Sequence, residues 1–190
     1  MITEAEFNQA KAKVLKQFAP VDQNPEYAYR VPDVDISGLI GQYAHGNEPS
    51  HHIAYMFNKA KQPWRTQYWV RQILDTQYST LPDVLSGNED AGQMSACYVM
   101  SSIGIYPMNP ASGQYEIGSP VFDEATIKTS GNTEFTILAK NNSDRNFYIQ
   151  SAKLNNEDLN RTYITHKELM SGGTLELEMS AEPNKNWPKN

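Results

Sequence analysis

The chain has 190 residues, a formal net charge of −6 and a pI near 5.2, with 39% hydrophobic and 11% aromatic residues. That length suits one large domain or two small ones with a buried core, and the acidic balance without a run of Lys or Arg excludes electrostatic capture of nucleic acid or an anionic membrane. A single cysteine, Cys97, excludes an internal disulfide and a cysteine-rich zinc site.

The first residues, Met1 to Phe7, lack the basic and apolar regions of a signal peptide, and no run of about 18 apolar residues follows, so no membrane insertion is expected and the compartment is left open. Phe7, Ala10, Val14, Leu15 and Phe18 recur at helical spacing and predict a first helix. From Ala19 to Ile40 three prolines, Pro20, Pro25 and Pro32, break any long helix and predict a surface-wrapping loop. Next comes a polar run, His45-Gly46-Asn47-Glu48-Pro49-Ser50-His51-His52, holding three of the four histidines. Pro49 suits a first helical turn, and Ile53, Tyr55, Met56 and Phe57 supply an apolar face to about Ala60. Pro63 plays the same part for a helix from Trp64 to Tyr78, with Trp64, Tyr68, Trp69, Ile73, Leu74 and Tyr78 as its apolar face. A second polar run, Gly87-Asn88-Glu89-Asp90-Ala91-Gly92-Gln93, repeats Gly-Asn-Glu and precedes a helix from about Gln93 to Ile103, ended by Gly104 and Pro107. Cys97 lies in that apolar helix and reads as a buried packing thiol.

After Pro110 the pattern turns to short β-rich runs between Gly, Asn and Asp: residues 115–117, 126–129, 134–139, 147–152, 162–165 and 174–179. Phe135, Ile137 and Ala139 share one face, as do Leu175, Leu177 and Met179 against Glu176 and Glu178, so the sheets have one wet side. The expectation is an α+β chain, helical over 1–110 and β-rich over 111–190, with an antiparallel sandwich packed on the helices.

Both polar runs read as loops with ring nitrogens, amides and carboxylates where glycine lets the chain turn. His51 and His52 are adjacent and splay about 100° apart on a helix, and no His-Glu-x-x-His is present, which argues against zinc. Asn47, Glu48, Asn88, Glu89 and Asp90 offer oxygen to a hard cation such as calcium, without the EF-hand spacing. Cleavage of a glycosidic bond needs two carboxyl groups on opposite faces of the sugar, and Glu48 and Asp90 at two helix mouths suit that task, with Trp64, Trp69, Tyr43 and Tyr55 offering ring faces. The structural alternative is that Glu48 and Asp90 cap helices, the histidines bond backbone carbonyls and the aromatics are core.

Gly38-Leu39-Ile40-Gly41-Gln42-Tyr43-Ala44-His45-Gly46-Asn47-Glu48-Pro49-Ser50-His51-His52 closely resembles the signature of glycoside hydrolase family 92, bacterial α-mannosidases. Gln62-Pro63-Trp64, Gly87 to Ala96, Gly104-Ile105-Tyr106-Pro107, Ile117 to Pro120, Gly172 to Leu175 and Glu182-Pro183-Asn184 follow in the family's order, so the resemblance runs from about residue 35 to the end. It implies the C-terminal part of an (α/α)6 helical barrel followed by an antiparallel β-sandwich-like region. It also implies a calcium-dependent, inverting exo-α-mannosidase acting on a mannose-containing glycan, with α-1,2-linked mannosides as the expected substrate. In that scheme Asp90 matches the base that deprotonates the attacking water, with Asn88 or Glu89 as its helper. His45, Asn47, Glu48, His51, Asn88 and Trp64 match the sugar-binding region, and Asn47 and Glu48 the calcium ligands. The chain is short for the family and holds no Glu-Gly-Asn-x-Trp acid motif, so the resemblance implies a C-terminal fragment, inactive alone and completed by an N-terminal half or a homo-oligomer. Relatives act in the periplasm or at the cell surface. The alternative to this enzyme reading is a non-catalytic carbohydrate-binding or structural remnant.

Overall fold

The computed structural model describes residues 38–80, 85–130 and 132–189. The helix expected over Phe7 to Phe18 and nearly all of the proline-bearing loop lie outside them. A hairpin comes first, β1 (Leu39–Ile40) pairing antiparallel with β2 (Tyr43–Ala44) across Gly41, which turns at φ 63°.

The first polar run then enters a 3-10 helix, Glu48–Tyr55, that continues as α1 (Met56–Lys59). An α-helix was expected throughout; instead the first eight residues are wound tighter. Side chains tie this segment to the loop it leaves. The Ser50 hydroxyl lies 2.6 Å from the carbonyl of Ala44 and 2.7 Å from that of Asn47, and His51 Nε2 donates to the His45 carbonyl at 3.0 Å. α1 closes in a Schellman motif: Gln62 N–H donates to Phe57 O at 2.8 Å and Lys61 N–H to Asn58 O at 3.1 Å, with Lys61 in the left-handed region at φ 57°.

α2 (Pro63–Thr76) follows, and its buried face differs from the expected one. Thr66, Gln67, Val70, Arg71, Ile73 and Leu74 are buried, whereas Trp64 and Trp69 are half-buried and Tyr68 is exposed. Gln67 and Arg71 can face inward here because the β-region supplies partners to both. Ile149 N–H donates to Gln67 Oε1 at 3.1 Å, and Arg71 Nη2 donates to Asn142 Oδ1 at 2.7 Å. α3 (Gln93–Ser102) ends one residue before the expected position.

β3 (Ile105–Tyr106) is the seam between two cores, because successive strand residues face opposite ways. Ile105 joins a cluster with Ile117, Phe135, Ile137, Ile149, Ile164, Leu175 and Leu177, and Tyr106 joins Tyr43, Tyr55, Phe57, Val70 and Leu74. The remaining strands are β4 (Gln114–Ile117), β5 (Glu124–Lys128), β6 (Glu134–Lys140), β7 (Tyr148–Leu154), β8 (Glu157–Asp158), β9 (Tyr163–Thr165) and β10 (Gly173–Ser180), with α4 (His166–Met170) before β10. They form a five-stranded sheet in the order β5-β6-β10-β7-β8 and a three-stranded sheet in the order β3-β4-β9, which share the first cluster as their core. One pairing departs from the antiparallel expectation. β10 runs parallel to β6, with Leu175 beside Ile137 and Leu177 beside Ala139, and antiparallel to β7, so the sheet is mixed. A strand covered on one face by a second sheet needs its alternate residues buried, and both directions satisfy that.

Glu116 on β4 joins the helical and β parts. It is buried and accepts from Lys59 Nζ at 2.5 Å, Asn58 Nδ2 at 3.0 Å and Thr162 Oγ1 at 3.3 Å. Glu116→Ala strands the Asn58 and Thr162 donors and leaves a cavity, so it should lower the unfolding free energy by about 3 kcal/mol in urea titration. Lys59, 41% exposed, can turn to water, so the ion pair itself adds little to that figure.

Candidate functional site

The two polar loops meet at their glycines. Gly87 turns at φ 70° and lies so close to Gly46 that a Cβ on Gly87 would fall 2.3 Å from the Gly46 carbonyl oxygen. Only a residue without a side chain fits, and that contact brings Asn47-Glu48 and Asn88-Glu89-Asp90 together across a gap of 41 positions in sequence. A second tie runs through Gln93, whose Nε2 donates to His51 Nδ1 at 3.4 Å and to Tyr106 Oη at 3.2 Å.

His45 and His51 lie beneath this junction, fully buried, their rings stacked with centroids 4.6 Å apart. His45 Nε2 is 2.7 Å from Tyr78 Oη and its Nδ1 is 2.8 Å from Tyr43 Oη. Tyr78 has one hydroxyl proton, and that proton goes to the Met94 carbonyl at 3.2 Å, so the network assigns the His45 hydrogen to Nε2 and makes Nδ1 an acceptor from Tyr43. His51 Nε2, facing a carbonyl, likewise carries its hydrogen and leaves Nδ1 to accept from Gln93. Both rings are thereby neutral. Burial holds His45 down to about 3, with the neighbouring His51 adding to the effect, and lowers His51 as well.

Donor atoms of His45, His51 and Cys97 lie within 4.8 Å of one another. Stacked rings direct their lone pairs along nearly parallel planes, and all four ring nitrogens already have hydrogen-bond partners, so the group acts as a satisfied polar core. Burial pushes the Cys97 thiol up to about 11, which keeps it protonated.

Glu48 is the first residue of the 3-10 helix, and its Oε1 is buried without a hydrogen-bond partner among the described residues. It lines a pocket of about 200 Å³ with His52, Gln93, Cys97, Tyr106 and Met108. Asn47 and Asn88 are exposed beside the junction. Glu89 is occupied: the Ser95 N–H and hydroxyl each donate to its carboxylate at 3.0 Å, capping α3. Asp90 is exposed at φ 41° and begins a run of three left-handed residues with Ala91 at 56° and Gly92 at 90°. Two of those are not glycine, and such conformations cost on the order of 1 kcal/mol or more each and concentrate at working loops.

The structure does not gather every residue expected at the site. Trp64 stands in the first turn of α2, while Tyr78, just past the other end, reaches His45; at about 1.5 Å rise per residue, roughly 20 Å of helix separates them. Tyr43 and Tyr55 are core residues, and Trp69 packs edge-on against Tyr68. Tyr106 is the aromatic ring that lines the Glu48 pocket. The spacing analysis missed Tyr78, Tyr106 and Gln93; only Gln93, the last residue of the second motif, carried a local signal.

Two outcomes follow from this geometry. Gly87→Ala should cost about 3 kcal/mol in chemical denaturation, through the backbone clash and the left-handed φ together. Because His45 is held near 3 when folded against an ordinary 6.5, the unfolded chain binds the proton first. Stability should therefore be full above pH 6.5 and fall by up to about 1.4 kcal/mol per pH unit on account of His45 as pH drops toward 3, with His51 acting in the same direction, and His45→Gln should flatten that slope in urea melts.

The description "Glycosyl hydrolase family 92 catalytic domain" fits residues 2–181, which carries the likeness well ahead of residue 35. The chain is 36% identical, over 98% of its length and 24% of the other's, to a family 92 α-mannosidase of Bacteroides thetaiotaomicron solved with mannoimidazole, at a TM-score of 0.85. It is 33% identical, over 97% of its length and 26% of the other's, to a family 92 inverting mannosidase of Bacteroides thetaiotaomicron VPI-5482, at a TM-score of 0.80. An uncharacterized secreted glycosidase of Arthroderma benhamiae is 30% identical over 140 residues, 72% of this chain and 18% of that protein. The chain thus spans between a sixth and about a quarter of the relatives it matches. With its motifs, its two-part α+β fold and a family match over nearly its whole length, the chain belongs to glycosyl hydrolase family 92.

Proposed function

We propose that this chain is the C-terminal part of the catalytic domain of an inverting exo-α-mannosidase that acts on α-1,2-linked mannosides outside the cytoplasm, with α1–α3 closing an (α/α)6 barrel. The observation that supports the reading is the contact between Gly46 and Gly87, which brings the backbones of the two acid-bearing loops against each other. The mannosidase neighbours support the substrate class, and the secreted relative supports the compartment.

Asp90 is the general base. Its carboxylate is exposed on a strained bend, free to take a proton from water approaching the anomeric carbon. Glu89 is a positioning residue: both its oxygens hold the start of α3, which fixes the bend that presents Asp90. His45 and His51 act through the loop they support, as neutral struts under Asn47 and Glu48. The general acid belongs to a part of the catalytic domain outside this chain. Inversion requires that acid about 6.5–9.5 Å from the base, leaving room for the water.

Calcium fits the residues present. Glu48 Oε1 is a buried acceptor without a partner among the described residues, and the exposed amide of Asn47, its neighbour in sequence, offers a second oxygen, the donor type a hard cation selects. Glu48 and Asn47 would hold it, and when bound it supplies Lewis-acid stabilisation of sugar oxygens.

Reconstitution with an N-terminal portion of a family 92 catalytic domain tests the reading. Calcium-dependent hydrolysis of an α-1,2-mannobioside should appear, Asp90→Asn should lower kcat about 10²- to 10⁴-fold with little change in KM, and Glu89→Gln, which can still accept from Ser95, should lower it far less. Equal activity of wild type and Asp90→Asn would remove Asp90 from the role.

A further inference from the structure

At the far end of the 3-10 helix and α1, roughly 20 Å from Glu48 by the rise of the two segments, lies a pocket of different character. It has a volume of about 290 Å³, at the small end of cavities that hold organic ligands. Lys59, Lys61, Arg161 and Lys185 line it, and among the described residues no carboxylate does, although the chain as a whole carries −6. Lys59 and Arg161 sit 5.1 and 5.0 Å from the centre of the Tyr163 ring. Each also has a carboxylate partner, Glu116 and Glu168 respectively. Lys61 and Lys185 are exposed and make no ion pair among the described residues. Four cations against two carboxylates leave the site with a local charge of +2.

Two buried polar atoms in its wall are also unsatisfied. Trp187 is 4% exposed and its Nε1–H has no acceptor among the described residues; Asn58 is 5% exposed and its Oδ1 has no donor among them, though its Nδ2 donates to Glu116 and to the Ile117 carbonyl. Each such atom costs about 1–3 kcal/mol, so a native chain rarely keeps a donor and an acceptor idle in one wall. Lys61 adds a third oddity. It occupies the left-handed C′ position of a Schellman motif, where glycine is favoured by about 1 kcal/mol, and it places an ammonium at the mouth of this pocket.

We propose that this pocket binds a tetrahedral oxyanion carried on a hydroxylated molecule, a phosphate or sulfate ester of a sugar or polyol. The oxyanion is met by Lys61 and Lys185 and by the Trp187 indole N–H, while a neighbouring hydroxyl of the same molecule donates to Asn58 Oδ1. The orphan donor and orphan acceptor together favour an ester, because its carbon-borne hydroxyl can reach the acceptor while its oxyanion meets the donor, whereas inorganic phosphate carries its O–H and its charged oxygens on one phosphorus and must serve both from a single tetrahedron.

Titration of the chain with hexose 6-phosphate, inorganic phosphate and plain hexose at low salt, followed by calorimetry and by the Trp187 indole signal in ¹⁵N-resolved NMR, tests this. Hexose 6-phosphate should bind in the millimolar range or tighter and shift the Trp187 signal, phosphate should bind at least fivefold more weakly, and hexose should not bind. Lys61→Gly with Lys185→Ala should weaken the ester at least tenfold, and since glycine suits φ 57° the double variant should unfold no earlier than wild type. Phosphate binding as tightly as the ester, with the same loss in the double variant, would keep the oxyanion site and overturn the selection of an ester. Equal binding by wild type and double variant, or no binding of either anion at 10 mM, would overturn the site itself.

Discussion

The approach of two peptide backbones at Gly46 and Gly87 governs the geometry of this chain's polar face. Nothing attractive is exceptional about the contact; its importance is steric. Two loops that emerge from different helical segments can touch main chain to main chain only where no Cβ intervenes, and once they touch, every side chain on either loop has its position set relative to the other. The junction is held from below by His45, His51, Tyr43, Tyr78 and Gln93, whose hydrogen bonds form one connected network. Such networks are rigid when complete and costly when broken, which suits a platform whose exposed residues must be placed to within fractions of an ångström.

This network divides labour between look-alike residues. The histidines, which invite a catalytic or metal-binding reading because they cluster, are sealed, neutral and fully partnered. The neighbouring acids Glu89 and Asp90 are chemically the same group one position apart, yet one spends its oxygens on a helix terminus and the other faces solvent on a left-handed bend. Environment, rather than residue type, separates the anchored acid from the open one.

Much of the framework was legible in sequence. Period-two alternation located the cores of β6 and β10, and the Gly-Pro punctuation ended α3 nearly where it stops. The Gly-Asn-Glu repeat pointed to the two loops, since glycine and short polar side chains mark turns. What failed was information carried by distant partners. The inward face of α2 is built on Gln67 and Arg71, polar residues whose acceptors and donors come from Asn142 and Ile149, and no local pattern announces that. Trp64 and Trp69 drew attention by size and stand elsewhere. The parallel pairing of β10 was equally hidden, because one-sided burial leaves the same alternation in either direction. The capping box of α4 was readable as Thr165-His166-Lys167-Glu168, and the helix is so short that no hydrophobic periodicity flagged it.

The placement of β10 has a consequence for how the molecule is made. This strand is the middle of the five-stranded sheet, yet it follows the other four in sequence, so β6 and β7 do not pair directly and wait on opposite sides of a slot that Gly173–Ser180 fills. Until those residues leave the ribosome, two partially apolar edges stand open, and the contacts that close them span long loops, which slows assembly. Nascent chains at that stage present unpaired main-chain groups to any passing strand, making the interval before completion the point at which chaperone cover matters most.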